Sequence, residues 1–239
     1  MADIEANLAA VRHRIRTACL VAARAPDAVR LLAISKTCSA DAIRRAHAAG
    51  QSAFGENYLQ EALDKRAALD DLPASSVEWH FTGPIQSNKT RAIAEHFDWV
   101  HGVDHLKVAQ RLSGQRPASL PPLQVCVQVN ISGEASKSGC APDEALPLCR
   151  AVAALPNLKL RGLMAIPAPL ADGANARAPF RALRELFEAL RRDGFELDTL
   201  SAGMSDDLEA AIAEGSTLVR IGSAIFGARI TNHESRITT

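Results

Sequence analysis

The sequence predicts an α/β fold, a single (β/α)8 TIM barrel preceded by one extra helix. Three observations predict it. From residue 30 onward, short apolar segments alternate with helix-patterned segments eight times. Composition does not shift along the 239 residues, a length near the roughly 250 that one such barrel needs. The rival arrangement, an open doubly wound sheet, calls for a G-x-G-x-x-G after its first strand, and none is there. The whole chain therefore reads as one domain, with a core over about 28–229 and a polar tail at 230–239.

The elements follow in order. Over residues 3–24, Ile4, Leu8, Val11, Ile15 and Ala18 or Cys19 recur on one helical face, and Pro26 and Asp27 end the helix, which covers one side or end of the sheet. Strand 30–36 precedes a helix near 40–50 that starts in Thr37-Cys38-Ser39 and stops at Gly50. Strand 52–55 leads to helix 57–70, strand 77–82 to helix 87–96, and strand 98–102 to helix 104–113. Strand 123–131 leads to helix 142–154, strand 158–164 to a long helix at 178–193, and strand 197–201 to helix 206–214. Strand 217–221 closes the count. Two loops, 133–139 and 167–174, are longer than a barrel needs and fall on the face where barrels keep their sites, so each is a candidate flap.

Composition removes several function classes. Lysine plus arginine equal aspartate plus glutamate at 27 each, which gives no electrostatic case for nucleic acid or an anionic membrane. No apolar run reaches membrane-spanning length, and the acidic start Met1-Ala2-Asp3-Ile4-Glu5 is not a signal peptide. The five cysteines are odd in number, scattered and without a C-x-x-C, as expected of reduced thiols in a cytoplasmic protein with no disulfide frame and no metal site.

In a barrel the carboxyl ends of all eight strands share one rim, so the residues there test function. Strand one ends on Lys36. In apolar surroundings a lysine amine is driven toward its neutral form and can attack a carbonyl to form a Schiff base, although a strand-end lysine by itself reads as one that snorkels to solvent. The other ends supply Glu56 and Asn57, His80 and Thr82, Asn130, Met164, the loop Ser201-Ala202-Gly203-Met204-Ser205-Asp206, and Arg220-Ile221-Gly222-Ser223. Strands seven and eight are where barrels hold phosphate. Gly203 and Gly222 would admit backbone close to an anion, and Ser201 and Ser223 add hydroxyls; the alternative is that the glycines only make tight turns. Asp206 with Glu209 reads as a capping box for the seventh barrel helix. An amine and a phosphate cradle facing one cavity fit a phosphorylated aldehyde or ketone: a sugar-phosphate aldolase, or pyridoxal 5′-phosphate (PLP) held on the lysine. Arg220, two residues before Gly222, faces into the barrel. There it would leave a PLP ring nitrogen unprotonated and the ring a weak electron sink, or else pair with Glu78 or Asp206.

The motifs Phe54-Gly55-Glu56-Asn57-Tyr58, Trp79-His80-Phe81-Thr82-Gly83-Pro84-Ile85-Gln86-Ser87-Asn88-Lys89, Ser136-Lys137-Ser138-Gly139, Gly162-Leu163-Met164, 201–206 and 220–227 resemble the PLP homeostasis proteins, the YggS/PROSC family. The resemblance spans about residues 30–229. It implies a barrel like the N-terminal domain of alanine racemase, with PLP on Lys36 as a Schiff base, and storage and delivery of the cofactor rather than turnover. It carries over a cofactor set of Lys36, Asn57, His80, Met164, Ser201, Gly203, Met204, Ser205, Arg220, Gly222 and Ser223. Ala202 stands where the family usually has methionine, and Ser223 where threonine is common.

The residues taken one at a time agree about turnover. A racemase of this type needs a second base from a tyrosine of another domain; this chain has one tyrosine, Tyr58, and no β-rich second domain, which also favours a monomer. His80 reads as a hydrogen-bonded rim histidine beside the cofactor before it reads as a base. Asn57 either meets the ring hydroxyl or caps a helix, and Met164 reads as pocket wall. Lys89 and Lys137 are either intermediate PLP acceptors or solvated loop lysines. The reading is thus a PLP carrier whose partners, beyond PLP, are apo forms of PLP-dependent enzymes. A PLP-dependent amino-acid racemase or decarboxylase is the alternative.

Overall fold

The structure, a computed structural model, describes residues 3–134, 137–167 and 176–227. Eight parallel strands close into a barrel in sequential order: β1 (Arg30–Ile34), β2 (Ala53–Glu56), β3 (Glu78–Phe81), β4 (Trp99–Val103), β5 (Leu123–Gln128), β6 (Leu158–Met164), β7 (Thr199–Ser201) and β8 (Leu218–Ile221). The ring shuts where β1 pairs with β8, from Arg30 opposite Leu218 to Ala33 opposite Ile221. The (β/α)8 expectation is borne out.

The helices pack outside: α1 (Ile4–Val21), α2 (Ala40–Ala48), α3 (Leu59–Ala67), α4 (Thr90–His96), α5 (Leu106–Gln115), α6 (Ala145–Ala153), α7 (Ala178–Arg192), α8 (Leu208–Ala213) and a short α9 (Ser223–Phe226) that the pattern does not predict. Helix α1 is capped by Asp3, whose carboxylate accepts from the Ala6 N–H. Its buried face is Ile4, Leu8, Val11, Ile15, Ala18 and Cys19, as the 3.6-residue spacing requires. That face lies across α8, α9 and α2, and Arg12, Ile15 and Arg16 border the amino ends of β1 and β2.

Alternate strand residues point inward. Leu32, Ile34, Ala53 and Leu218 form one interior cluster, and Trp99, Cys126 and Met164 another. The large core between sheet and helices is separate. The interior also holds buried polar side chains, among them His80, His101, Ser201 and Arg220, which is unusual filling for a barrel centre.

Several boundaries differ from expectation for local reasons. The ladder of β5 stops at Gln128, because the Asn130 and Cys140 N–H groups bond the Cys140 and Gln128 carbonyls as the chain folds back on itself. That return ties the described ends of the 133–139 loop, with the Asn130 amide donating to the Glu134 carbonyl at 2.8 Å. The seventh barrel helix, α8, starts at Leu208 and not at 206. Asp207 is its first flanking residue, and Glu209 turns outward to Arg14, so no Asp206–Glu209 capping box forms. The proposed flap at 167–174, save Pro167, and the tail at 230–239 lie outside the described residues. All five cysteines carry free thiols.

Candidate cofactor-binding site

A cavity of about 330 Å³ opens at the carboxyl ends of the strands. It is large enough for a small cofactor. On the β1 side its wall includes Ile34 and Lys36, which continue the interior row begun by Leu32. Asn57 and Thr82 follow from β2 and β3 in the same phase, and Ile166 comes from beyond β6. The opposite wall is Met204, Ser205 and Asp206 after β7, with Arg220, Gly222 and Ser223 from β8 and α9.

Each lining group is held by neighbours. The Thr82 hydroxyl donates to Asn57 Oδ1 at 2.9 Å, which fixes the amide and takes the place of a helix cap; α3 has no side-chain cap. The hydroxyls of Ser205 and Ser223 lie 3.2 Å apart. Beside them Gly222 leads into α9, and the first N–H groups of a helix lack intrahelical partners. Arg14 of α1 donates to the Ser205 carbonyl at 3.1 Å and braces this end from outside.

Arg220 is buried. Its guanidinium donates to the Ser201 carbonyl and hydroxyl at 2.7 and 2.8 Å and to the Ala165 carbonyl at 2.8 Å. Burial pulls its pKa down to about 10, so it remains a cation at neutral pH. It pairs with neither Glu78 nor Asp206; Glu78 bonds Arg30 and His80 instead.

A second cluster, missed in the sequence, grips the loop that carries Lys36. Lys65 of α3 donates to the Ser35 carbonyl at 2.7 Å and to Glu56 Oε1 at 2.8 Å. It also pairs with Glu61, whose carboxylate accepts the Thr37 N–H. The Ser35 hydroxyl donates to Glu56 at 2.6 Å. Both neighbours of Lys36 are thereby pinned, and Thr37 is held at φ 63°. Burial pushes the Glu56 carboxyl upward, against the pull of Lys65. The available signal was Glu61 four residues before Lys65, the spacing of a helical ion pair.

Four expected site residues lie elsewhere. His80 is one layer below the rim, fully enclosed and bonded to Glu78 and His101. Ser201 does not line the cavity; its hydroxyl is held between Arg220 and His101. Ser205, four residues on, takes the place by the cavity. Met164 packs with Trp99 and Cys126 in the interior cluster, and Ile166 is the wall in its stead. Gly203 is required by packing: at φ +98° a Cβ would come within 2.7 Å of the Ala211 Cβ. Lys36, Asn57, Met204, Ser205, Arg220, Gly222 and Ser223 do share the cavity. Lys89 and Lys137 are not in its wall.

A model of the alanine racemase N-terminal domain family matches residues 6–230. The pyridoxal phosphate homeostasis protein of Pseudomonas aeruginosa is 65% identical over 229 residues, covering 96% of this chain and 97% of that protein. The chain belongs to the pyridoxal phosphate homeostasis protein family. A second member, from Escherichia coli K12, is 54% identical over 96% of this chain and 98% of its own length. Among solved structures, PipY of Synechococcus elongatus PCC7942 with PLP bound is 37% identical with a TM-score of 0.81, covering 94% of this chain and all of that one. The family and fold read from the motifs are both borne out.

The donor set of the cavity suits that cofactor: one amine for an aldehyde, two hydroxyls for a phosphate, and a buried cation that cannot give up its proton for a ring nitrogen. Among the described residues no helix is long and apolar enough to cross a membrane.

Proposed function

We propose that the chain holds PLP in this cavity, serves its intracellular storage and delivery, and performs no rapid turnover of its own. The observation that carries the reading is the convergence of Lys36, Arg220 and the Ser205–Ser223 pair on one hollow. Lys36 is the attachment point for the aldehyde. Ser205, Ser223 and the start of α9 receive the phosphate, and Asn57 faces the ring from the side of β2. When bound, PLP supplies an electrophilic carbon and an electron sink for amine substrates.

Arg220 limits that sink, because a guanidinium offers the ring nitrogen no acidic proton. Among the described residues the cavity wall also lacks a second base suited to racemisation. Its titratable members are Lys36, Arg220 and the exposed Asp206 at the rim. Tyr58 begins beside α3, is 55% exposed, and is not part of the wall. Release needs only an attacking amine from a recipient, since attachment through an amine is reversible. The recipients on this reading are apo PLP-dependent enzymes, and the chain works as a cytoplasmic monomer.

Titration of the purified protein with PLP tests the reading. The wild type develops an absorbance band distinct from that of free PLP, and Lys36→Ala loses it. An unchanged spectrum in the variant, with binding retained, overturns Lys36 as the attachment point. Steady-state assays of the loaded protein against D- and L-amino acids are expected to be silent; rapid turnover of any one establishes the racemase or decarboxylase alternative.

A further inference from the structure

The polar side chains inside the barrel form one continuous line. Glu78 Oε1 lies 2.6 Å from His80 Nε2, His80 Nδ1 2.9 Å from His101 Nε2, and His101 Nδ1 2.9 Å from Ser201 Oγ. Ser201 Oγ is in turn 2.8 Å from Arg220 Nη1. The line starts at the amino ends of the strands, where Glu78 also pairs with the exposed Arg30, and finishes at the floor of the cavity. We propose that His80, His101 and Ser201 are positioning residues that hold Arg220 at a fixed place beneath the cavity through this single oriented chain of hydrogen bonds, anchored by Glu78.

With both imidazoles neutral, the two ends dictate the direction of every hydrogen. An ionised carboxylate only accepts, so His80 must donate from Nε2. A guanidinium only donates, so Ser201 accepts at Oγ from Arg220, which leaves its own hydrogen for a neutral His101 to accept at Nδ1. His101 then donates from Nε2 to His80 Nδ1. Both rings are neutral in this pattern and both carry the hydrogen on Nε2. A proton added to either ring would require another tautomer or a turned Ser201 hydroxyl; with both rings neutral, this assignment alone satisfies all four contacts. The surroundings support it. His80 lies stacked on Trp99, centroids 5.3 Å apart and planes 9° apart, and neither imidazole has any exposed surface.

Strand geometry makes the line continuous. His80, His101, Ser201 and Arg220 come from β3, β4, β7 and β8, each at an inward position. A residue that only filled space there would be a branched aliphatic. Two imidazoles and a hydroxyl in sequence from a carboxylate to a guanidinium instead remove the freedom of the guanidinium to tilt. The Ser201 and Ala165 carbonyls hold two of its hydrogens from the sheet side, and the Ser201 hydroxyl supplies the contact whose strength depends on the chain.

The arrangement is tested first in the protein without PLP, where the carrier reading plays no part. Imidazole nitrogen NMR at pH 7 is expected to show His80 and His101 both neutral and both with the hydrogen on Nε2. An imidazolium at either position, or a hydrogen on Nδ1, overturns the chain. The second test rests on the proposed PLP site. Ser201→Ala and His101→Gln are expected to shift the absorbance band of the loaded protein and to weaken PLP binding about tenfold, while the Lys36 attachment is retained. Val152→Ala, a change on α6 in the core between sheet and helices, is expected to leave band and affinity unchanged. Bands and affinities in Ser201→Ala and His101→Gln equal to those of Val152→Ala overturn the positioning role. Failure of the wild type to take up PLP would instead overturn the carrier reading, and the NMR result would stand by itself.

Discussion

At the scale of single residues, the best-determined feature outside the cavity is Lys65. Its side chain is 6% exposed and its partner Glu56 is wholly buried. Removing one member of such a pair strands the other as an uncompensated charge, which costs about 3–5 kcal/mol. Lys65→Ala is therefore expected to lower the unfolding free energy by about that amount in urea titrations. It should also weaken PLP uptake, because Ser35 and Thr37 lose the contacts that flank Lys36. A variant with full stability would show that Glu56 is neutral in the fold. Residue by residue, the sequence revealed what alternation could reveal. Lys36, Asn57 and Arg220 lie in phase with their strands, so their place at one mouth follows from period two. Alternation gives the face of the sheet but not the depth. His80 and Thr82 share a face, and only Thr82 reaches the cavity. Ser201 and Ser205 are equally plausible donors until Arg220 and His101 are seen to occupy the first.

At the scale of elements, α1 was fully legible and its role was not. Its apolar spacing identified every buried residue, yet spacing cannot say what a face lies against. It covers the outer side of α8 and α9, and the Asn7 amide donates to the Ile225 carbonyl at 2.9 Å. The helix thus steadies the two short elements that border the Ser205–Ser223 end of the cavity. Leu8, on the buried face of this helix, has no exposed surface. Leu8→Ala is expected to cost about 2–5 kcal/mol by leaving a cavity. Because α9 has only four residues and depends on that packing, PLP affinity should fall with it. Unchanged affinity in a protein that has lost this stability would show that α9 holds its place without α1. The brevity of α9 also explains why no pattern announced it, since one turn is too short for a periodic signal.

At the scale of the whole molecule, the number of alternating segments specified the closed barrel, but the filling of its interior was hidden. A hydrophobic pattern expects aliphatic layers, whereas this barrel encloses two histidines. Their burial has a consequence for stability. Burial pushes His80 below its ordinary value near 6.5, against the opposing pull of Glu78. His101 is pushed well below, first by burial and then by His80, Arg220 and Arg30. As pH falls through 6.5 the unfolded chain takes up protons at both positions and the folded chain does not. Stability therefore decreases with acidification, by up to about 1.4 kcal/mol per pH unit for each histidine, or about 2.7 for the two together. Glu78 acts later. Burial would raise its carboxyl, but His80 and Arg30 outweigh that and hold it at about 2, so its contribution is present above the ordinary carboxylate range and is lost only below it. Glu56, with a raised pKa, works in the opposite sense and offsets part of the loss where it gains its proton. Urea midpoints measured from pH 7.5 to 5.5 are expected to drop steadily, starting near 6.5 and before any carboxylate with an ordinary pKa is titrated. A midpoint that stays flat across that interval would mean that the two rings are as easily protonated inside the barrel as in water, and the neutral chain from Glu78 to Arg220 would not exist.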